Sequence, residues 1–150
     1  MHTTVCLLVG LSLFPATAAA KQVDVMCPAN VSASRFASSK EWVSVTAWRQ
    51  PPGPWSESPL VLGHVEIYAG HPKLGYSLVP NDDHLISRRV HQATWLLRGE
   101  SWIGCHYLGE RNLLAMRLPT STRSCQMQYE TSQSPYRVRV RRLQCKVTDA

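Results

Sequence analysis

The chain has 150 residues, 16 Lys and Arg against 10 Asp and Glu, and a formal net charge of +6. That length holds one domain with a real core and excludes two ordinary ones. A basic balance of this size suits an acidic partner: a protein patch, an anionic glycan or lipid headgroups.

The opening residues read as a secretory signal. Val5 to Phe14 is an uncharged apolar run, Pro15 ends it, and Ala18 and Ala20 meet the small-residue rule for cleavage. Cleavage is predicted after Ala20. This gives a signal peptide over 1–20 and a single β-rich domain over 21–150, periplasmic or secreted. The run is shorter than the roughly 20 residues a membrane-spanning helix needs, and no later segment reads as a transmembrane span. Cys6 lies inside the run rather than at its end, so it leaves with the signal and is not a lipidation point. Nucleic acid is a poor partner for an exported chain. Cys27, Cys105, Cys125 and Cys145 remain, an even count that reads as two disulfides in an oxidising compartment.

Beyond residue 20, period-two alternation dominates and predicts strands. Lys21–Cys27 places Val23 and Val25 on one face, and Pro28 ends it. Residues 29–40 read as a loop. Glu41–Trp48 alternates Val43, Val45 and Ala47 against Ser44 and Thr46. Residues 49–59 hold four prolines and read as a surface loop, with Trp55 folded back on the core. Leu60–Ala69 sets Val61, Val65 and Ile67 against His64, Glu66 and Tyr68. Residues 70–75 and 80–83 read as turns, and a strand fills the second half of His84–Leu97. Residues 98–101 read as a hairpin turn into Ser101–Tyr107. Strands then follow at Asn112–Leu118, Arg123–Glu130 and Tyr136–Val147. In the last of these, Val138 and Val140 are out of phase with Leu143 and Cys145, so a bulge is predicted near Arg141 and Arg142. The predicted fold is all-β: a small antiparallel sandwich or barrel with a C-terminal meander of four strands, braced by two disulfides.

The meander orders the cysteines. Cys105 and Cys125 would lie two strand spacings apart, roughly 9.5 Å, beyond the ~7 Å Cα limit for a disulfide. Cys125 and Cys145 fall on adjacent strands, close to opposite one another. Cys125–Cys145 is therefore favoured, leaving Cys27–Cys105 to tie the N-terminal strand to the sheet. The alternative, Cys27–Cys145 with Cys105–Cys125, needs a different strand order.

Several short motifs occur in a recognisable order: Cys27-Pro28, Val65 to Pro72 (VEIYAGHP), Leu78-Val79-Pro80, Ala93-Thr94-Trp95, a Trp-x-x-Cys-x-Tyr strand at Trp102 to Tyr107, Leu118-Pro119, then Cys125 and Cys145. Together they resemble a family of small uncharacterised exported proteins of Gram-negative bacteria. The resemblance implies a bacterial origin and a periplasmic or secreted location. It brings no catalytic or binding residue with it.

The residues themselves carry no catalytic motif. There is no G-x-S-x-G, H-E-x-x-H or C-x-x-C. His64, His71, His84, His91 and His106 read as scattered, so no metal ligand is assigned and no cofactor is expected. Asp82 and Asp83 are adjacent acids in a turn and do not by themselves make a cation site. Glu66 and Glu100 could act as paired acids only if the fold joined them. In a strand, Cys105 and His106 point to opposite faces, so they are not a thiol–base pair. Gly104 leaves room between Trp102 and His106 for an aromatic from a neighbouring strand. Arg137, Arg139, Arg141 and Arg142, with Lys146, form a stretch free of acids between Glu130 and Asp149. They are a candidate surface for an anionic partner; the alternative is a solvated face or a protected sheet edge.

These features favour a non-enzymatic periplasmic protein-binding module of inhibitor or immunity type. The alternative is an envelope accessory protein that binds an anionic glycan or lipid through the Arg-rich final strand. A hydrolase with an unrecognised site is the second alternative.

Overall fold

The computed structural model describes residues 20–28, 31, 41–46, 61–108, 112–131 and 138–148. Among these, nine strands form two antiparallel sheets. One sheet has five strands: β1 (Ala20–Asp24), β9 (Val138–Thr148), β8 (Thr122–Thr131), β5 (Val90–Leu96) and β4 (Asp82–Ser87), in that order across the sheet. The other has four: β2 (Val43–Thr46), β7 (Asn112–Arg117), β6 (Ser101–Tyr107) and β3 (Leu62–Ala69). The only helical element among the described residues is a short 3-10 turn at Pro72–Leu74, closed by Gly75 at φ 71°, a left-handed conformation that glycine adopts without a Cβ clash.

The core follows from the alternation. Ala93 and Trp95 on β5, Cys125 and Met127 on β8, and Leu143 and Cys145 on β9 belong to one buried cluster with Val65 and Ile67 on β3, Ile103, Cys105 and Tyr107 on β6, and Leu114 on β7. Burying the Val, Ile, Leu and Met side chains among them contributes about 1.5–3 kcal/mol each. The indole of Trp95 donates to the Leu78 carbonyl at 3.0 Å, so its one polar group is satisfied inside the fold.

Both predicted disulfides form. Cys125 and Cys145 pair directly across β8 and β9, with Cα atoms 4.1 Å apart. Cys27 lies just beyond β1 and joins Cys105 on β6, Cα to Cα 5.8 Å. Since β1 belongs to the five-stranded sheet and β6 to the four-stranded one, this bond links the two layers. The bulge is also where the phase slip placed it. Gln128 pairs with Arg142 and Tyr129 with Val140, which leaves Arg141 as the extra residue. Leu143 is thereby buried, and Val140 packs against the same core.

Three expectations need correction. The last four strands are not one meander: β6 pairs with β7 in one sheet, and β8 pairs with β9 in the other. Residues 98–101 are likewise not a hairpin turn, because β5 and β6 lie in different sheets and the chain crosses between layers there. Cys105 and Cys125 are thus kept apart by belonging to opposite sheets, not by an intervening strand. Finally, Asp82 and Asp83 lie in β4, where a turn was expected. β4 is an edge strand exposed along its whole length. Such a strand carries no buried face to impose alternation, and its charges suit an edge. Residues 1–19 of the signal segment, the proline-rich loop with Trp55, and Arg137 fall outside the described residues.

One buried phenol and one half-buried phenol give a base-side prediction. The Tyr107 hydroxyl donates to the Pro28 carbonyl at 2.6 Å, and burial pushes its pKa up to about 12. Burial, with a hydrogen bond to Asp83, also pushes Tyr129 up to about 12. An unfolded tyrosine ionises near 10. Folding therefore favours the protonated phenols. Their contribution to stability is complete below pH ~10 and is lost as pH rises toward ~12. Denaturant midpoints should fall over that interval, and ultraviolet phenolate titration should show these tyrosines ionising late. A flat midpoint across the interval contradicts this.

Candidate functional site

The outer face of the four-stranded sheet carries a polar cluster beside a second apolar one. On β3, His64, Glu66 and Tyr68 point outward. On β6, so do Trp102, Gly104 and His106. The register sets His64 opposite His106, Glu66 opposite Gly104, and Tyr68 opposite Trp102. Directly opposed Cβ atoms in an antiparallel pair lie about 5 Å apart, so these side chains must meet.

Gly104 makes the arrangement possible. A Cβ built there would lie 2.6 Å from Tyr68 Cε2 and 3.2 Å from Leu113 Cδ1. The space expected for a cross-strand aromatic is thus occupied by the Tyr68 ring. That ring packs with Val45, Leu113 and Ala115, with Val43 and Trp102 at the margin. The apolar face of β2 therefore serves this outer cluster, not the inter-sheet core.

The Tyr68 hydroxyl donates to Glu66 Oε2 and lies 2.8 Å from His106 Nε2. His106 Nε2 is 3.2 Å from Glu66 Oε2. His64 Nε2 lies 3.6 Å from Glu66 Oε1, and the His64 ring stacks on His106 with centroids 4.2 Å apart and planes 7° from parallel. His106 is buried at 8% side-chain exposure, whereas His64 and Glu66 keep 39% and 35%. The cluster thus has a fixed inner wall and an open outer side.

Its electrostatics are coupled. His106, within hydrogen-bond reach of the carboxylate, and then His64, 3.6 Å from it, hold the Glu66 carboxyl well below the usual carboxylate range, against the opposing effect of burial. Burial, and then the neighbouring Glu66 carboxylate, push the Tyr68 phenol far up. At neutral pH the cluster holds a carboxylate and a protonated phenol, with imidazole nitrogens directed at the carboxylate. His64, Glu66 and His106 could hold a metal ion: one donor atom from each lies within 4.8 Å of the others.

The other residues singled out from sequence are distributed differently. All four cysteines are in disulfides. Glu100 accepts from the Trp102 indole and pairs with Arg117, while Glu66 faces the histidines, so the two glutamates share no partner. Asp82 pairs with His84 at 2.7 Å. Asp83 points to the other face, toward His91 and the Tyr129 hydroxyl. On β9, Arg139 is exposed, Arg141 pairs with Glu130, and Arg142 reaches Asp24 at 3.4 Å. Two of the arginines thus meet acids from neighbouring strands, which lowers the net positive field of the strand. The cluster at His64, Glu66, Tyr68 and His106 was not assigned from sequence. Its signal was present as His-x-Glu-x-Tyr alternation on β3, but the partner strand lies 32 or more residues further along (His64 to His106 spans β4 and β5).

The family model for the type VI secretion system Tli immunity protein matches residues 56–146. That interval runs from before β3 into β9 and includes the whole polar cluster. Comparison with curated proteins and with solved structures returned no match.

Proposed function

The chain belongs to the type VI secretion system Tli immunity protein family, and from that membership we propose that it is a non-enzymatic periplasmic immunity protein that neutralises a type VI effector by binding it. The family match over residues 56–146 carries the reading. The architecture supports it. Two disulfides brace a two-layer β domain, a rigid body that loses little conformational freedom on binding a protein partner. Disulfides also fit an oxidising compartment, and residues 1–20 supply the export signal, with cleavage after Ala20. The net charge of +6 favours an effector surface of acidic character, for which opposite charge raises the encounter rate. Arg139, exposed on β9, is where such steering would act. An anionic glycan or lipid is the weaker reading, because Arg141 and Arg142 already face acids of the same chain.

The test is competition between kin. A strain lacking this gene should be killed by its parent when the parent's type VI system is active. The full gene should restore survival, and a version without residues 2–20 should not. Equal survival of the deletion strain and its parent contradicts the immunity reading. Rescue by the version without residues 2–20 contradicts only the periplasmic part.

A further inference from the structure

We propose that His64, Glu66 and His106 form a binding site for a divalent transition metal, Zn²⁺ being the best fit, with a coordination position open to solvent. The site stands on its own geometry and does not depend on the immunity reading.

The donor set decides the metal class. Two imidazoles and one carboxylate match the nitrogen and oxygen preference of zinc. Calcium and magnesium favour sites built from oxygen alone. Three protein ligands also match the number zinc uses when a fourth position is left to water.

The distances fit as well. A tetrahedral zinc about 2.1 Å from each ligand sets the ligand atoms roughly 3.4 Å from one another. Here Glu66 Oε1 lies 3.6 Å from His64 Nε2, Glu66 Oε2 lies 3.2 Å from His106 Nε2, and one donor atom from each residue falls within 4.8 Å of the others. The backbone already places the ligands, two of them on one face of β3 and the third directly opposite on β6.

A purely structural hydrogen-bond network accounts for Tyr68, Glu66 and His106, which are bonded to one another. His64 joins it only through a looser contact with the carboxylate. Its Nε2 points at the carboxylate but stays at 3.6 Å, beyond a normal hydrogen bond, and its ring is stacked on His106 although it is more than a third exposed. A metal gives that nitrogen a partner. Tyr68 then acts as support: its hydroxyl donates to Glu66 Oε2 and orients the carboxylate, as outer hydrogen bonds do around metal ligands. The buried ring of His106 anchors the inner side, and His64 and Glu66 admit the ion from solvent.

The experiment uses tag-free oxidised protein purified from the periplasm and stripped with a chelator. Zn²⁺ is titrated by calorimetry, and Co²⁺ by visible absorption. One equivalent of each is expected, with the Co²⁺ spectrum of a four-coordinate site and its displacement by Zn²⁺. At a Zn²⁺ excess of ~100 times Kd, the melting temperature should rise by on the order of 5 °C or more. His64→Ala and Glu66→Gln should each weaken binding by about 10-fold or more, while His91→Ala, in the separate Asp83 cluster, should leave it unchanged. His64 is partly exposed, so its variant is expected to fold and decides the matter even if His106→Ala does not. The proposal is overturned if the stripped protein takes up no equivalent of either ion, or if His64→Ala binds as wild type does.

Discussion

Removing the Cys27–Cys105 bond is expected to cost the fold about 4.5 kcal/mol on the chain-entropy estimate, the larger of the two disulfide losses. The bond closes a loop with a sequence separation of 78, against 20 for Cys125–Cys145, for which the same estimate gives about 3.3 kcal/mol. The two loops do not overlap along the chain, so each constrains a different part of the unfolded ensemble. The native contacts point the same way. Cys125 and Cys145 sit on paired neighbouring strands whose ladder persists without the bond. Cys27 lies beyond the end of β1, and its bond to the fully buried Cys105 holds that segment against the opposite sheet, beside the Tyr107 hydroxyl's hydrogen bond to the Pro28 carbonyl.

Domains of this size have a net stability of roughly 5–15 kcal/mol, so either loss is a large fraction of the total. The measurement is urea unfolding of Cys27→Ala/Cys105→Ala beside Cys125→Ala/Cys145→Ala, paired so that no free thiol remains. The first should be the less stable, and its hydrogen exchange should rise along β1 and its contact with β9. If the second pair proves more damaging, bridging the layers is not the dominant contribution. The result bears on function: a chain retained in a reducing compartment would lose both bonds, and with them much of its capacity to bind an effector.

How far the fold was legible depended on burial. A strand with alternating burial, such as β3, announced itself by alternation, and the phase slip of Val140 against Leu143 located the bulge. β4 gave no such signal, because a fully exposed edge imposes no pattern on Asp82 to Ser87. The sheet assignments were also hidden. The turn residues at 98–101 mark a reversal, but they do not say whether the chain folds back within a layer or crosses to the other. The cysteine pairing came out correctly although the meander behind part of its derivation did not, since both arrangements keep Cys105 from Cys125 and Cys125 beside Cys145. The polar cluster was half legible. His64, Glu66 and Tyr68 share one face by parity, as do Trp102, Gly104 and His106; only the register of β3 on β6 brings the two faces together, and β4 and β5 lie between them in sequence.

Gly104→Ala should destabilise the protein by about 1–3 kcal/mol, the usual range for forcing an added methyl into a packed site. The reason is local. The new methyl would stand 2.6 Å from Tyr68 Cε2, well inside contact distance. Tyr68 cannot simply swing away, because its ring is packed on Val45, Leu113 and Ala115 while its hydroxyl is bonded to Glu66 and His106. Displacing the ring therefore breaks the polar cluster as well as the apolar one. A double-mutant cycle separates this from a general intolerance of side chains at position 104. In a Tyr68→Leu background the aromatic edge is gone, so Gly104→Ala should cost much less, with a coupling of roughly 0.5–3 kcal/mol between the two positions. If the cost is equal in both backgrounds, the clash is set by Leu113 Cδ1 at 3.2 Å instead, and Tyr68 is not what holds position 104 to glycine. The short stretch from Trp102 to Tyr107 then has its physical meaning: Ile103, Cys105 and Tyr107 build the inter-sheet core, and Gly104 is left without a side chain so that Tyr68 can reach across the strand to brace Glu66 and His106.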